Sequence, residues 1–187
     1  MNGAGAEKLP PFFFGGYTES TTMIGRLFLA LMFAIAPLSA AEPIRVLVFT
    51  TTDCPISNRY APEINRLATR FSGRATFVLV YPVATDSPDV IREHHKKFGY
   101  SLESIRDIKH ELVKQSGVTV TPEVAVMAGA RIVYRGRIDD RYIELGKDRI
   151  NPTRHDLEDA LTAVLANQPV AEKETQAIGC FLPDLIK

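Results

Sequence analysis

Two apolar, β-prone runs, "RVLVFTTT" (Arg45 to Thr52) and "ATFVLVYP" (Ala75 to Pro82), with one amphipathic segment between them, constrain this 187-residue chain most. Neither run alternates polar with apolar residues, so each is predicted as a strand buried on both faces. Between them Ile64, Leu67, Ala68 and Phe71 recur at i, i+3, i+4 and i+7, one helix stripe, and Gly73 closes it. Strand, helix, strand in this order implies parallel pairing, with the crossover helix lying on the sheet.

Downstream, "SPDVIREHHKKFG" predicts a helix with Ser87 as cap, Pro88 in the first turn and Gly99 at its end. A shorter helix is expected over about Asp107 to Gln115. In "GVTVTPEVAVMAGARIVYRGRID" two short β-prone runs flank Ala128-Gly129-Ala130, a hairpin turn, and the first run is entered through Thr121-Pro122. A last helix starts at "TRHD", with Thr153 as cap and Leu157, Ala160, Leu161, Val164 and Leu165 as its apolar face. A helix-poor tail ending in "TQAIGCFLPDL" follows. The fold class is therefore α/β, a mixed central sheet with helices on both faces. No repeat or second domain is visible.

Residues 23–41, "MIGRLFLALMFAIAPLSAA", place one Arg before a run of apolar residues and then small residues at Ser39 and Ala41. That is the layout of a secretory signal peptide. Its apolar part is shorter than the ~20 residues a membrane span needs, so cleavage is preferred to an uncleaved anchor. Residues 1–22 have no amphipathic pattern and read as a non-native or over-called leader, with Met23 the start. The domain is expected over residues 42–168 and the tail carrying Cys180 over 169–187. Export implies a periplasmic or secreted protein without stable membrane insertion after cleavage. With 22 basic and 22 acidic side chains the net charge is zero, which gives no electrostatic reason for a nucleic acid partner. There is no phosphate loop, dinucleotide fingerprint or serine-triad signal, so no cofactor is expected. Oligomeric state is not legible.

The chemistry must lie in two cysteines, Cys54 and Cys180, which outside the cytosol can persist as a disulfide. Cys54-Pro55 stands where the first strand ends and a helix begins, so Cys54 faces free backbone N–H groups and the positive end of a dipole, which favour thiolate. Cys54-Pro55, Thr121-Pro122 before the hairpin and the order of elements together resemble the thioredoxin-like superfamily. Within it the chain looks like the redoxin branch related to alkyl hydroperoxide reductase and thiol-specific antioxidant proteins, over about Arg45 to Ala166. The resemblance implies a cis-proline at Pro122 facing Cys54, with Thr121 and Pro122 docking a substrate thiol beside Pro55 and Ser57.

Ser57 departs from the family, because it stands where a second cysteine would release a mixed disulfide, and a hydroxyl cannot do that. Four readings stay open. Cys54 acts alone until an outside thiol rescues it; Cys180 is a distant resolving partner; the two form a static staple of ~5 kcal/mol; or both are buried, unpaired thiols. A peroxidase would carry Pro-x-x-x-Thr-x-x-Cys. Thr51 fits, but Leu47 stands in the proline position, so peroxide reduction ranks below thiol–disulfide exchange on protein or small-molecule thiols, with Cys54 as nucleophile. A copper(I) chaperone using Cys54, Cys180 and a histidine is the alternative class, although Asn58 replaces the second cysteine of Cys-x-x-x-Cys. A catalytically silent binding module is the third. His94 shares a face with Val90 and Phe98 and reads as structural; His95, His110 and His155 read as surface residues, and no metal ligand is assigned. In "GRIDDRY" (Gly136 to Tyr142) Asp139 and Asp140 with Arg137 and Arg141 read as ion pairs and turn caps. The other reading makes that loop, "NRY" (Asn58 to Tyr60) and the Cys180 tail one docking surface.

Overall fold

The computed structural model describes Gly15 and residues 42–182. The expectations for a leader and a signal peptide fall on residues outside that range. Among the described residues no helix is long and apolar enough to cross a membrane.

The two apolar runs are neighbouring parallel strands, β1 (Ile44–Phe49) and β2 (Ala75–Tyr81). Between them lie α1 (Pro55–Arg59) and α2 (Ala61–Arg70). The chain continues through α3 (Pro88–Phe98), β3 (Glu103–Arg106), α4 (Glu111–Ser116), β4 (Val120–Thr121) and β5 (Glu123–Ala128). It ends with β6 (Arg131–Gly136), β7 (Tyr142–Glu144), β8 (Lys147–Asp148), α5 (Asp156–Leu165) and β9 (Cys180–Phe181). The main sheet has the order β3-β2-β1-β5-β6, with β5 and β6 antiparallel, so it is mixed, and β1 at its centre is shielded on both faces. On one face Val46, Val48 and Leu79 pack with Ile64 and Leu67 of α2, Ile91 of α3 and Leu161 of α5. On the other, Leu47, Phe49 and Val78 pack with Val113 of α4 and with Leu182 from the far end of the chain.

The predicted elements form, and several differences from expectation have local causes. The helix that starts at Pro55 is interrupted at Tyr60, because Pro62 has no N–H to return to Asn58 and its ring crowds that carbonyl. Strand β3 was not expected, since an exposed edge strand such as "ESIR" carries little apolar signal. Helix α4 starts later than Asp107, whose carboxylate instead caps it by accepting from the Glu111 and Val113 amides (2.8 and 2.9 Å). Thr153 does not cap α5, which starts from His155; its hydroxyl donates to Asp140 Oδ2 (2.6 Å). The caps at Ser87, which accepts from Val90 N, and at left-handed Gly99 are as expected.

Candidate active site

Cys54 sits at the carboxyl end of the central strand as the N-cap of α1, in extended conformation, with exposed Pro55 opening the helix. It is only 2 % exposed. The Thr121–Pro122 peptide is cis. Thr121 O accepts from the Cys54 Sγ–H at 3.1 Å, so the segment before the hairpin lies directly against the sulfur. The tail then returns to the same place. Strand β9 pairs antiparallel with β4, with Cys180 opposite Thr121 and Phe181 opposite Val120. Two residues far apart in the chain thus share one corner, and both are free thiols.

Their ionisation is asymmetric. Burial pushes Cys54 up, but hydrogen bonds from Cys180, from the Ser57 hydroxyl and amide and from Thr121 outweigh it, and the thiol is held below its ordinary value. Cys180 is pushed up to about 12 by burial, by its hydrogen bond to Cys54 and by the Cys54 charge. Of the two, Cys54 is the thiol whose ionisation its surroundings favour. Ser57 and Thr121 are both almost fully buried, and their hydroxyls have no oxygen or nitrogen partner among the described residues. Ser57 is too enclosed to reach a substrate except through the Cys54 sulfur.

A hydrogen-bonded chain fixes α1 from below. Asn58 Nδ2 donates to Thr52 O (2.9 Å), and His94 bridges Asn58 Oδ1 (2.7 Å, at Nε2) and the Tyr81 hydroxyl (2.8 Å, at Nδ1). An amide oxygen only accepts, so Nε2 carries the proton and Nδ1 accepts from Tyr81. Beside it, Thr52 Oγ1 donates to buried Asp86 (2.5 Å), tying the loop before Cys54 to the loop after β2. Burial, with the neighbouring charges of His95 and Lys97, lowers His94 to about 4. The unfolded chain takes up a proton near pH 6.5 that the folded chain refuses. Stability is thus full above pH 6.5 and falls progressively towards pH 4, by about 3 kcal/mol in total. Urea melts of the wild type and His94→Gln across that range check this; a variant that keeps the wild-type slope would assign the loss to another group.

The histidine assignments hold for His94, which is buried and structural, and for exposed His155. Two are corrected. His95 is half-buried, its ring packed against Tyr81 and Tyr100, because α3 lies closer to the sheet than its lysines suggest. His110 is buried and its Nε2 meets Pro82 O (3.0 Å), because the chain turns there in left-handed conformation. Both ring nitrogens of His94 are engaged, so His94 offers no free nitrogen to a metal shared with Cys54 and Cys180. A separate cluster of Glu63, His155 and Glu158 is already occupied by Arg66, which bridges both carboxylates, and by Arg70.

The "GRIDDRY" loop acts largely as a brace. Asp140 accepts from Thr153 N and Oγ1 and from Arg154 N, and these bonds hold its carboxyl at about 2, below the ordinary range despite the opposing effect of burial. Asp139 accepts from the Tyr60 hydroxyl (2.5 Å) and the Arg141 amide (2.9 Å). Tyr60 ends α1 and packs at a tilt against Tyr142, and Arg59 pairs with Asp148. The loop and "NRY" do meet, through structural bonds. Residues not singled out from the sequence, Thr52, Asp86, Gly179 and Leu182, prove to shape the site. The closeness of Thr52 to Cys54 was the one available hint.

An open mixed sheet with a cysteine at the end of its central strand, facing a cis-proline, is the thioredoxin-like fold. Comparison with solved structures agrees. The chain is similar to an uncharacterized conserved protein from Geobacillus kaustophilus, with 26% identity and a TM-score of 0.66, over 75% of this chain and 77% of that one. It is similar to a hypothetical protein from Sinorhizobium meliloti at 23% identity and a TM-score of 0.65, over 75% and 79% of the two chains. A thioredoxin-like protein solved in its oxidised form matches at 17% identity and a TM-score of 0.51, over 68% and 80%. No protein-family model and no curated protein matches the chain.

Proposed function

We propose that this is an exported, redoxin-related thiol–disulfide oxidoreductase in which Cys54 is the nucleophile and Cys180 the resolving partner, acting on protein or small-molecule thiols and disulfides. The observation that carries the reading is the β4–β9 pairing, which sets Cys180 opposite Thr121 while the Thr121 carbonyl contacts Cys54. Ionised Cys54 attacks a substrate disulfide, forms a mixed disulfide and expels the other substrate sulfur as thiolate. Cys180 then attacks the Cys54 sulfur, giving the Cys54–Cys180 disulfide and a second substrate thiol; an external dithiol reductant returns the protein to its starting state. Two of the three causes that keep Cys180 protonated come from Cys54. They disappear once Cys54 is in a mixed disulfide, so the resolving thiol is activated only when it is needed. Ser57 in place of a local cysteine is consistent with this division of labour, because it donates to the thiolate without competing for it.

The test is equilibration of the exported protein in glutathione buffers of graded potential, followed by peptide mapping under non-reducing conditions. A single intramolecular Cys54–Cys180 disulfide that forms and disappears reversibly is expected. Free thiols throughout, or glutathionylation of Cys54 without closure, would remove Cys180 from the mechanism.

A further inference from the structure

The tail does more than deliver a sulfur. Residues 179–182 lie as an extended strand on β4: Leu182 N donates to Thr119 O (3.2 Å), Phe181 pairs with Val120 and Cys180 with Thr121. Among the described residues β9 is the only strand paired with β4. Where a Cβ on Gly179 would stand, Thr121 O is 2.2 Å away and Thr121 C 2.7 Å, closer than any side chain permits. Leu182, at the other end, is 1 % exposed and seated in the second core, whereas Phe181 between them is 66 % exposed. Cys54 is only 2 % exposed, with the Thr121 carbonyl and Cys180 of this strand against its sulfur, so the seated strand stands in the way of a substrate sulfur.

The geometry points to residues 179–182 as a tethered copy of the substrate, which is an extended polypeptide whose disulfide-bonded cysteine follows a glycine. This rests on the thiol–disulfide reading above. When the tail lifts, β4 offers an unpaired strand edge beside the nucleophile, the kind of edge that binds a peptide by adding a strand. The clearance at Gly179 then selects what enters: a residue with a Cβ before the cysteine meets the Thr121 carbonyl. A substrate strand and the tail exclude one another. Return of the tail therefore both places Cys180 on the mixed disulfide and expels the reduced product. The bonds balance as in the cycle above: the substrate disulfide is reduced to two thiols while Cys54 and Cys180 are oxidised to one disulfide.

The test uses full-length Cys180→Ser, in which Cys54 is the only thiol and the tail stays seated. Two derivatives unseat the tail by different routes: Gly179→Val, by the clash, and Leu182→Lys, by removing the buried anchor. The probes are the peptide Ile-Gly-Cys-Phe-Leu activated as its thionitrobenzoate mixed disulfide, the same peptide with Val in place of Gly, and cystamine. Release of thionitrobenzoate and the mass of the adduct give the rate at Cys54, and circular dichroism confirms that each variant is folded. The Gly-Cys peptide is expected to react at least about tenfold faster with the unseated variants than with Cys180→Ser alone, because a seated tail reduces the competent fraction. The Val-Cys peptide is expected to lag behind the Gly-Cys peptide in Leu182→Lys. Equal rates in seated and unseated variants, or equal rates for the two peptides, would overturn the proposal while leaving Cys54 chemistry intact. A Cys54 inert to cystamine in every folded variant would overturn the thiol–disulfide reading itself.

Discussion

Cys54→Ser is expected to reduce disulfide exchange by more than about a thousandfold, to the uncatalysed background, because a serine hydroxyl neither ionises nor attacks sulfur at neutral pH. Cys180→Ser is expected to behave differently. The first attack survives and the cycle stops with substrate held on Cys54 as a mixed disulfide, visible as an adduct by intact mass. The difference follows from the asymmetry of the pair. Cys54 is held below its ordinary value by Cys180, Ser57 and Thr121 against the effect of burial, while Cys180 is driven up. Steady-state exchange with a peptide disulfide, paired with mass analysis of the quenched enzyme, checks both variants. If Cys180→Ser turned over at the wild-type rate, resolution would belong to an outside thiol; if Cys54→Ser retained activity, the nucleophile would have been misassigned. Because Cys180 also helps to hold Cys54 ionised, Cys180→Ala, which leaves no donor at that position, should shift the pH dependence of Cys54 alkylation towards higher pH.

Gly136→Val is expected to destabilise the fold by about 3–5 kcal/mol, the range for forcing a side chain into a disallowed backbone conformation against a filled site. Gly136 ends β6 with φ at +145°, and a Cβ there would lie 2.2 Å from Thr175 Oγ1 and 2.4 Å from Thr175 O. Thr175 cannot simply move. Its amide donates to Arg135 O (3.0 Å), and its hydroxyl is shared between the Tyr134 hydroxyl (2.7 Å) and the Arg137 amide (3.1 Å). These bonds lay the tail along the sheet edge before it turns towards β4. The substitution therefore also misplaces Cys180, and the yield of the Cys54–Cys180 disulfide should fall with stability. Urea denaturation of the reduced protein measures the first effect, and a loss under about 1 kcal/mol would show that the crossing relaxes freely.

Legibility from the sequence followed the range of the interactions involved. Strands β1 and β2, helix α3 with Ser87 and Gly99 at its ends, and the β5–β6 hairpin are written in local periodicity and turn residues. Cys54-Pro55 at a strand–helix junction and Thr121-Pro122 before a hairpin are local too, which is why the position of Cys54 and of its facing loop was legible. Strand β3 was not, since an exposed edge strand has one neighbour and little apolar content. His110 was misread because its burial depends on Pro82, a contact that its own neighbours in the chain do not announce. Asn58 looked like a missing cysteine, whereas in the fold it is the clasp between Thr52 and His94.

By itself, then, the sequence determined an α/β chain with a cysteine where its central strand meets a helix, because periodicity, helix starts and turn chemistry act over a few residues. The tertiary structure alone decided where Cys180 lies. A tail without periodicity has no preferred place until distant groups supply one: the Thr175 crossing over Gly136, the bare backbone of Gly179 against Thr121, and the pocket beneath the sheet that takes Leu182. Those contacts turn two cysteines at opposite ends of the domain into one site.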